Sequence, residues 1–156
     1  MNSPHYCKQV RLSGRRMPGR CARAALTRQL EELGLSDSAD SCVRERADEA
    51  LLVLSELVTN ASRHAGGPVR LTTHWSGNRL TIEIEDNSDG LPSITPAEKR
   101  GQHGGYGMGL VDAFSDSWGV RPATQSHRPK CVYAQLSFPS PRKADQHAED
   151  DFVTAS

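Results

Sequence analysis

The segment ELVTNASRH, residues 56–64, carries a carboxylate and a carboxamide one helical turn apart. Glu56 and Asn60 would project from the same face of a helix, because residues four apart are neighbours there. Asn is a poor interior helix former, so either this face is merely solvated or it faces a ligand. An amide oxygen suits Mg²⁺, which takes few protein ligands beside phosphate oxygens. A nearby carboxylate suits the base that orients or deprotonates the attacking hydroxyl in phosphoryl transfer.

A second candidate group closes an alternating apolar segment at DNSDGLP, residues 86–92. A carboxylate at the end of a buried strand is costly unless it is hydrogen-bonded, and the exocyclic amine of a purine can satisfy it. Taken alone, however, Asp86 and Asn87 favour a simpler interpretation, an Asx-turn that caps the strand.

The third segment, GGYGMGL at residues 104–110, is rich in glycine and leads into a helical pattern. Glycines let the backbone approach a ligand closely, and a helix N-terminus favours anions, so phosphates suit this place. The segment lacks the G-K-[ST] of a P-loop and the strand-first G-x-G-x-x-G of a dinucleotide fold. A flexible linker is equally compatible with these residues alone.

The hydrophobic periodicity predicts the elements that must position these groups. They are helices at about 18–33, 42–64 and 109–116, and strands at 69–75, 80–84, 118–120 and 132–138. A loop of about twenty residues follows Glu85 and reaches Gly107, and loops of such length in a small domain are usually functional lids or disordered. Helices on one face of a mixed, mostly antiparallel sheet give an α+β fold, a two-layer sandwich.

Composition narrows the class of protein. The 156 residues suffice for one domain, and 19 Lys plus Arg balance 19 Asp plus Glu, so no basic field indicates direct nucleic-acid or membrane binding. Four scattered cysteines form no C-x-x-C pair, and no long apolar segment is present, which predicts a cytoplasmic protein. We expect a folding unit at residues 18–138 between termini, 1–17 and 139–156, that are disordered or loosely attached.

The three segments, in this order on these elements, resemble the nucleotide-binding boxes of the GHKL (Bergerat-fold) ATPase superfamily. ELVTNASRH is similar to its N box, DNSDGLP to its G1 box and GGYGMGL to its G2 box. Within the superfamily, the chain resembles the small anti-sigma factor serine/threonine kinases, as does the segment LVDAFSDSWG at residues 110–119. The resemblance covers about residues 18–138 and implies a Bergerat fold that binds ATP and Mg²⁺.

By position, the resemblance implies that Glu56 is the catalytic base and Asn60 the Mg²⁺ ligand. Asp86 would accept a hydrogen bond from the adenine amine, and Gly90 would let the chain pass beneath the base. Arg63 would approach the phosphates. The alternative is that its positive charge only complements the helix dipole at the C-terminal end of the helix. The glycines that would shape the phosphate-binding lid are Gly105, Gly107 and Gly109.

Three positions depart from the family pattern. Ser88 stands where many members have Gly, and Tyr106 replaces a frequently basic residue of the lid. Pro129–Cys131 stands where relatives often have Gly-Thr-Thr, which removes a hydroxyl that contacts adenine indirectly. These departures put phosphoryl transfer in question more than ATP binding.

The resemblance implies an anti-sigma regulator that binds a sigma factor and phosphorylates a serine of an anti-anti-sigma (STAS-type) protein. The alternative is a non-catalytic module in which ATP only sets the conformation of the lid. In the resembling family, arginines of the first helix contact partners, which makes Arg20, Arg23 and Arg28 a candidate surface, with an ordinary solvated face as the alternative. Members of the family also often form homodimers.

Overall fold

A computed structural model of the protein describes residues 5–63, 67–87, 107–122 and 130–140. The helices are α1 (Pro18–Glu32), α2 (Ser41–Ser62) and α3 (Gly107–Phe114), and the strands are β1 (His5–Arg11), β2 (Pro68–Ser76), β3 (Arg79–Asp86), β4 (Ser117–Pro122) and β5 (Lys130–Ser137). Across the described ranges the strands form one sheet in the order β1-β2-β3-β5-β4, with every neighbouring pair antiparallel. The predicted α+β sandwich is confirmed.

Residues at its two ends determine where helix α1 begins and ends. Pro18 occupies the first turn, where its missing N–H has no intrahelical partner to lose. At the other end, Gly34 has a φ of +69° and donates its N–H to the carbonyl of Glu31 at 2.9 Å. Leu35 donates to the carbonyl of Leu30, also at 2.9 Å, which completes a Schellman motif.

Helix α2 is the central helix of the fold. Asp40 caps it by accepting a hydrogen bond from the backbone N–H of Cys42 at 2.9 Å. The buried residues recur every three or four positions and pack against the inner face of the sheet. They are Val43, Ala47, Ala50, Val53, Leu54, Leu57, Val58 and Ala61.

The hairpin of β2 and β3 turns at Gly77, whose φ of +67° suits glycine. Along β3, the alternation places Leu80, Ile82, Ile84 and Asp86 on one face, and each is 0% exposed. The hydrophobic members of this series belong to the core beneath α2. The same alternation therefore directs the carboxylate of Asp86 to the helix side of the sheet.

The N-terminal segment differs from the expectation of a disordered or loosely attached end. His5–Arg11 forms strand β1, which pairs with β2 from His5↔Ser76 to Arg11↔Arg70. Leu12 is 1% exposed, and its backbone N–H donates to the carbonyl of Val69 at 2.8 Å. Most β1 side chains are exposed, so the strand is held by backbone hydrogen bonds that its side-chain pattern does not reveal.

Arg46 of α2 joins the C-terminal end of α3 to β5. Its guanidinium donates to the backbone carbonyl of Phe114 at 2.6 Å and to that of Ser137 at 2.9 Å. It also pairs with Glu49 at 2.8 Å and with Asp116 at 3.0 Å. A single side chain thereby satisfies groups from a helix end, a strand and a connection.

Asp116 is stabilised in its ionised form by this arrangement. Burial raises the pKa of its carboxyl, but hydrogen bonds from Ser137 and the charges of Arg46 and Arg79 more than offset the effect. The pKa of Asp116 therefore lies below its ordinary value of 3.8.

Among the described residues, no helix is long and apolar enough to cross a membrane.

Candidate functional site

Asn60 and Asp86 lie at the same end of the sheet. Helix α2 ends at Ser62, and Pro68, six residues on, begins β2 directly opposite Asp86. Six residues span at most about 20 Å when fully extended, so the last turn of α2 lies within about that distance of the end of β3 that carries Asp86. Helix α2 also packs directly against β3. Two of the predicted site residues are therefore brought to one region by the chain connection.

Glu56 and Asn60 sit at the edge of the buried face of α2. Both are partly buried, while the adjacent Leu57 and Ala61 are 0% and 1% exposed. The side-chain nitrogen of Asn60 is buried and has no hydrogen-bond partner among the residues that the structure describes. A buried amide without a partner is costly, so its partner is a ligand, a water molecule or a residue outside the described ranges.

Asp86 is fully buried and faces a lysine that the family pattern does not contain. Lys130 stands directly opposite Asp86 in the register between β3 and β5. Its Nζ atom lies 3.8 Å from Oδ2 of Asp86, and its side chain is only 9% exposed. In the sequence, Lys130 stands out only as a departure from the family pattern. The alternation of Lys130 with the buried Val132, Ala134 and Leu136 was the available signal that it points inward.

The glycine-rich segment enters the described structure at the start of α3. Gly107 is the first residue of this helix and Gly109 lies in its first turn. Met108 and Val111 are 5% and 0% exposed, and α3 packs along α2. Gly90 and Gly105 lie outside the described residues, as do Ser88 and Tyr106. The structure therefore describes only the end of the predicted lid.

Arg63 is the C-cap of α2. Its backbone N–H donates to the carbonyl of Thr59 at 3.1 Å and to that of Asn60 at 3.3 Å. The residue is exposed, next to the turn that carries Asn60. Arg63 therefore lies near the side-chain amide of Asn60 and also caps the helix that carries this amide.

The donor set fits a magnesium nucleotide. A buried carboxylate at a strand end can accept from a base amine, and an amide oxygen can bind a hard cation that keeps phosphate oxygens and waters as other ligands. The described residues contain no cluster of three or more His, Cys, Asp or Glu that could hold a metal ion. A Mg²⁺ at this site would therefore take most of its ligands from the nucleotide and from water.

Comparison with protein families matches residues 19–133 to the histidine kinase-like ATPase domain. The chain belongs to this family. The predicted ATPase superfamily is thereby confirmed, and family membership implies that the domain binds ATP. A comparison with curated proteins finds no match.

Among solved structures, this ATPase domain is similar to the crystal structure of the RsbU and RsbW domains of Rv1364c from Mycobacterium tuberculosis. The two align with a TM-score of 0.58 and 15% sequence identity. The alignment covers 87% of this chain but only 33% of that structure, so the chain spans about a third of its length. At this identity the likeness establishes the shared fold.

Proposed function

We propose that this ATPase domain is an anti-sigma regulator that uses Mg²⁺ and ATP to phosphorylate a serine or threonine of an anti-anti-sigma protein. The observation that carries the proposal is the fully buried carboxylate of Asp86, at the end of the sheet to which α2 delivers Asn60. The order of the three boxes and the shared fold with a structure containing an RsbW domain support it.

Each predicted site residue has a distinct role in this proposal. Asp86 accepts a hydrogen bond from the adenine amine, and the amide oxygen of Asn60 binds Mg²⁺. Glu56, one turn before Asn60, accepts the proton of the attacking hydroxyl. The glycines Gly90, Gly105, Gly107 and Gly109 shape the loop around the phosphates, which Arg63 also approaches. ATP supplies the phosphoryl group that is transferred.

The partners in this proposal are a sigma factor and a STAS-type anti-anti-sigma protein, with a homodimer as the assembly. Exposed side chains of α1 suit an acidic partner surface, because Arg20, Arg23 and Arg28 line one open groove together with Glu31. Replacing Arg23 and Arg28 by Glu should weaken the complex with either partner and leave ATP binding intact. Unchanged partner affinity in a titration would place the interface elsewhere.

Phosphoryl transfer is tested with γ-labelled ATP and a cognate anti-anti-sigma protein. Wild-type protein should label the partner, while Glu56→Gln should bind ATP but label it at least about 100-fold more slowly, because general-base catalysis typically contributes that much. Asn60→Ala should lose Mg²⁺-dependent binding. Glu45→Ala is the matched control, since Glu45 is exposed on the same helix.

The outcomes separate the candidate functions. Labelling that disappears in Glu56→Gln but persists in Glu45→Ala supports the kinase. A wild-type protein that binds ATP and never labels the partner is a nucleotide-sensing module instead. A wild-type protein that binds no ATP contradicts both functions.

A further inference from the structure

Lys130 occupies an unusual place for a lysine. It begins β5, is 8% exposed and stands directly opposite Asp86. Its position in the alternation puts it on the same face as Val132 and the core. An ammonium group in such a place is costly to desolvate, and the nearby carboxylate of Asp86 compensates the charge.

Stability alone is a weak reason for this pair. Buried ion pairs are often replaceable by apolar residues of similar volume without loss of stability. One member of the pair, Asp86, is also the residue that is proposed to contact the base of the nucleotide. Its separation of 3.8 Å exceeds the 2.7–3.2 Å of a direct hydrogen bond. The two groups lie side by side on one face of the sheet, and each can form hydrogen bonds beyond this pair, because an ammonium has three donors and a carboxylate has several acceptor sites.

Adenine carries the complementary pair on one edge. Its 6-amino group donates and its adjacent N1 accepts, whereas an ionised carboxylate only accepts and an ammonium only donates. We propose that Lys130 is a specificity-determining residue that donates a hydrogen bond to N1 of adenine while Asp86 accepts from the 6-amino group. This inference rests on the proposed nucleotide site at Asp86. It assigns to Lys130 the contact that the missing hydroxyl would have made indirectly.

The pairing makes the site selective. Hypoxanthine, the base of ITP, has a carbonyl oxygen at position 6 and a proton on N1, so both complementary contacts are reversed. The carboxylate of Asp86 would face an acceptor and the ammonium of Lys130 would face a donor. Sites built around such hydrogen bonds reject mismatched ligands strongly, because buried polar groups are left unpaired. We expect ITP to bind at least about 100-fold more weakly than ATP.

The experiment is a binding titration of full-length protein with Mg²⁺ and either ATP or 1-deaza-ATP, in which N1 is replaced by C–H. Wild-type protein should bind 1-deaza-ATP about 10- to 100-fold more weakly, as expected for a lost hydrogen bond to a charged group. Lys130→Met keeps the length of the side chain but has no donor. This variant should bind the two nucleotides within about threefold of each other.

Controls keep each outcome informative. Lys8→Met, at a partly exposed lysine of β1, should discriminate between the two nucleotides as wild type does. If Lys130→Met does not fold, the wild-type series of ATP, 1-deaza-ATP and ITP still decides the question. Wild-type protein that binds 1-deaza-ATP as tightly as ATP would overturn the role of Lys130 and leave the nucleotide site standing. Wild-type protein that binds none of the three overturns both proposals.

Discussion

Removing the guanidinium of Arg46 should loosen the attachment of α3 and β5 to α2. The side chain is 17% exposed and donates to the backbone carbonyls of Phe114 and Ser137. Arg46→Ala leaves both carbonyls without this donor. Hydrogen bonds to charged groups contribute about 1.5–3 kcal/mol each, so two of them correspond to about 3 kcal/mol at the lower end of that range.

We use the lower end because the other partners of Arg46, Glu49 and Asp116, have side chains that are 32% and 49% exposed. Water can hydrate these carboxylates once the arginine is gone, so their ion pairs add little. In a chain of 156 residues, a loss of about 3 kcal/mol lowers Tm by roughly 6–12 °C. Arg46→Lys should recover part of the loss, because it keeps a charge and one donor but not the fork.

The assay is urea unfolding followed by tryptophan fluorescence, with the midpoint compared at constant m-value. Arg23→Ala is the matched control, because Arg23 is exposed on α1 and should change the free energy of unfolding by less than about 0.5 kcal/mol. An Arg46→Ala variant as stable as this control would refute the assigned role of the guanidinium.

Three further predictions concern the described fold. Because the pKa of Asp116 is lowered in the folded protein, its carboxylate stabilises the fold above the unfolded-state pKa, and this stabilisation is lost as the pH falls through the folded-state value. Urea titrations should therefore give a constant difference in stability between wild type and Asp116→Asn from about pH 5 to 8, and a smaller difference below about pH 4. Burial raises the pKa of Cys131, so mass spectrometry should find it alkylated later than the exposed Cys42, and equal rates would contradict its burial. In Gly119→Ala, the new Cβ would lie 2.9 Å from the hydroxyl of Tyr133, so the ring must shift; thermal unfolding should show a loss of about 1 kcal/mol, and an unchanged Tm would contradict the contact.

The long helix and the hairpin could be predicted because the apolar residues that they bury recur at helix or strand spacing within a short stretch of sequence. Helix α2 was predicted at 42–64 and is found at Ser41–Ser62, and the turn of the hairpin is found at Gly77. Strand β1 could not be predicted in the same way. Its pairing with β2 is non-local and depends on backbone hydrogen bonds, and its exposed side chains leave no alternating apolar pattern.

The candidate site also combines features that the local sequence predicts with a feature that depends on non-local strand pairing. The three boxes, in their order along the chain and with their resemblance to a known family, predicted a nucleotide site at Asn60 and Asp86. The neighbour of Asp86 was not predicted, because the facing of Lys130 and Asp86 depends on the register of β3 and β5, which are separated by α3 and β4 in the sequence. Sequence spacing carries no information about that register until the sheet order is known.

A crystal structure with Mg²⁺ and a non-hydrolysable ATP analogue is the most direct test of the proposed nucleotide site. We expect the 6-amino group of adenine within hydrogen-bond distance of Asp86, and Mg²⁺ bound by the amide oxygen of Asn60 and by phosphate oxygens. A nucleotide bound on another surface, with Asp86 and Lys130 enclosed only by protein, would contradict the proposal.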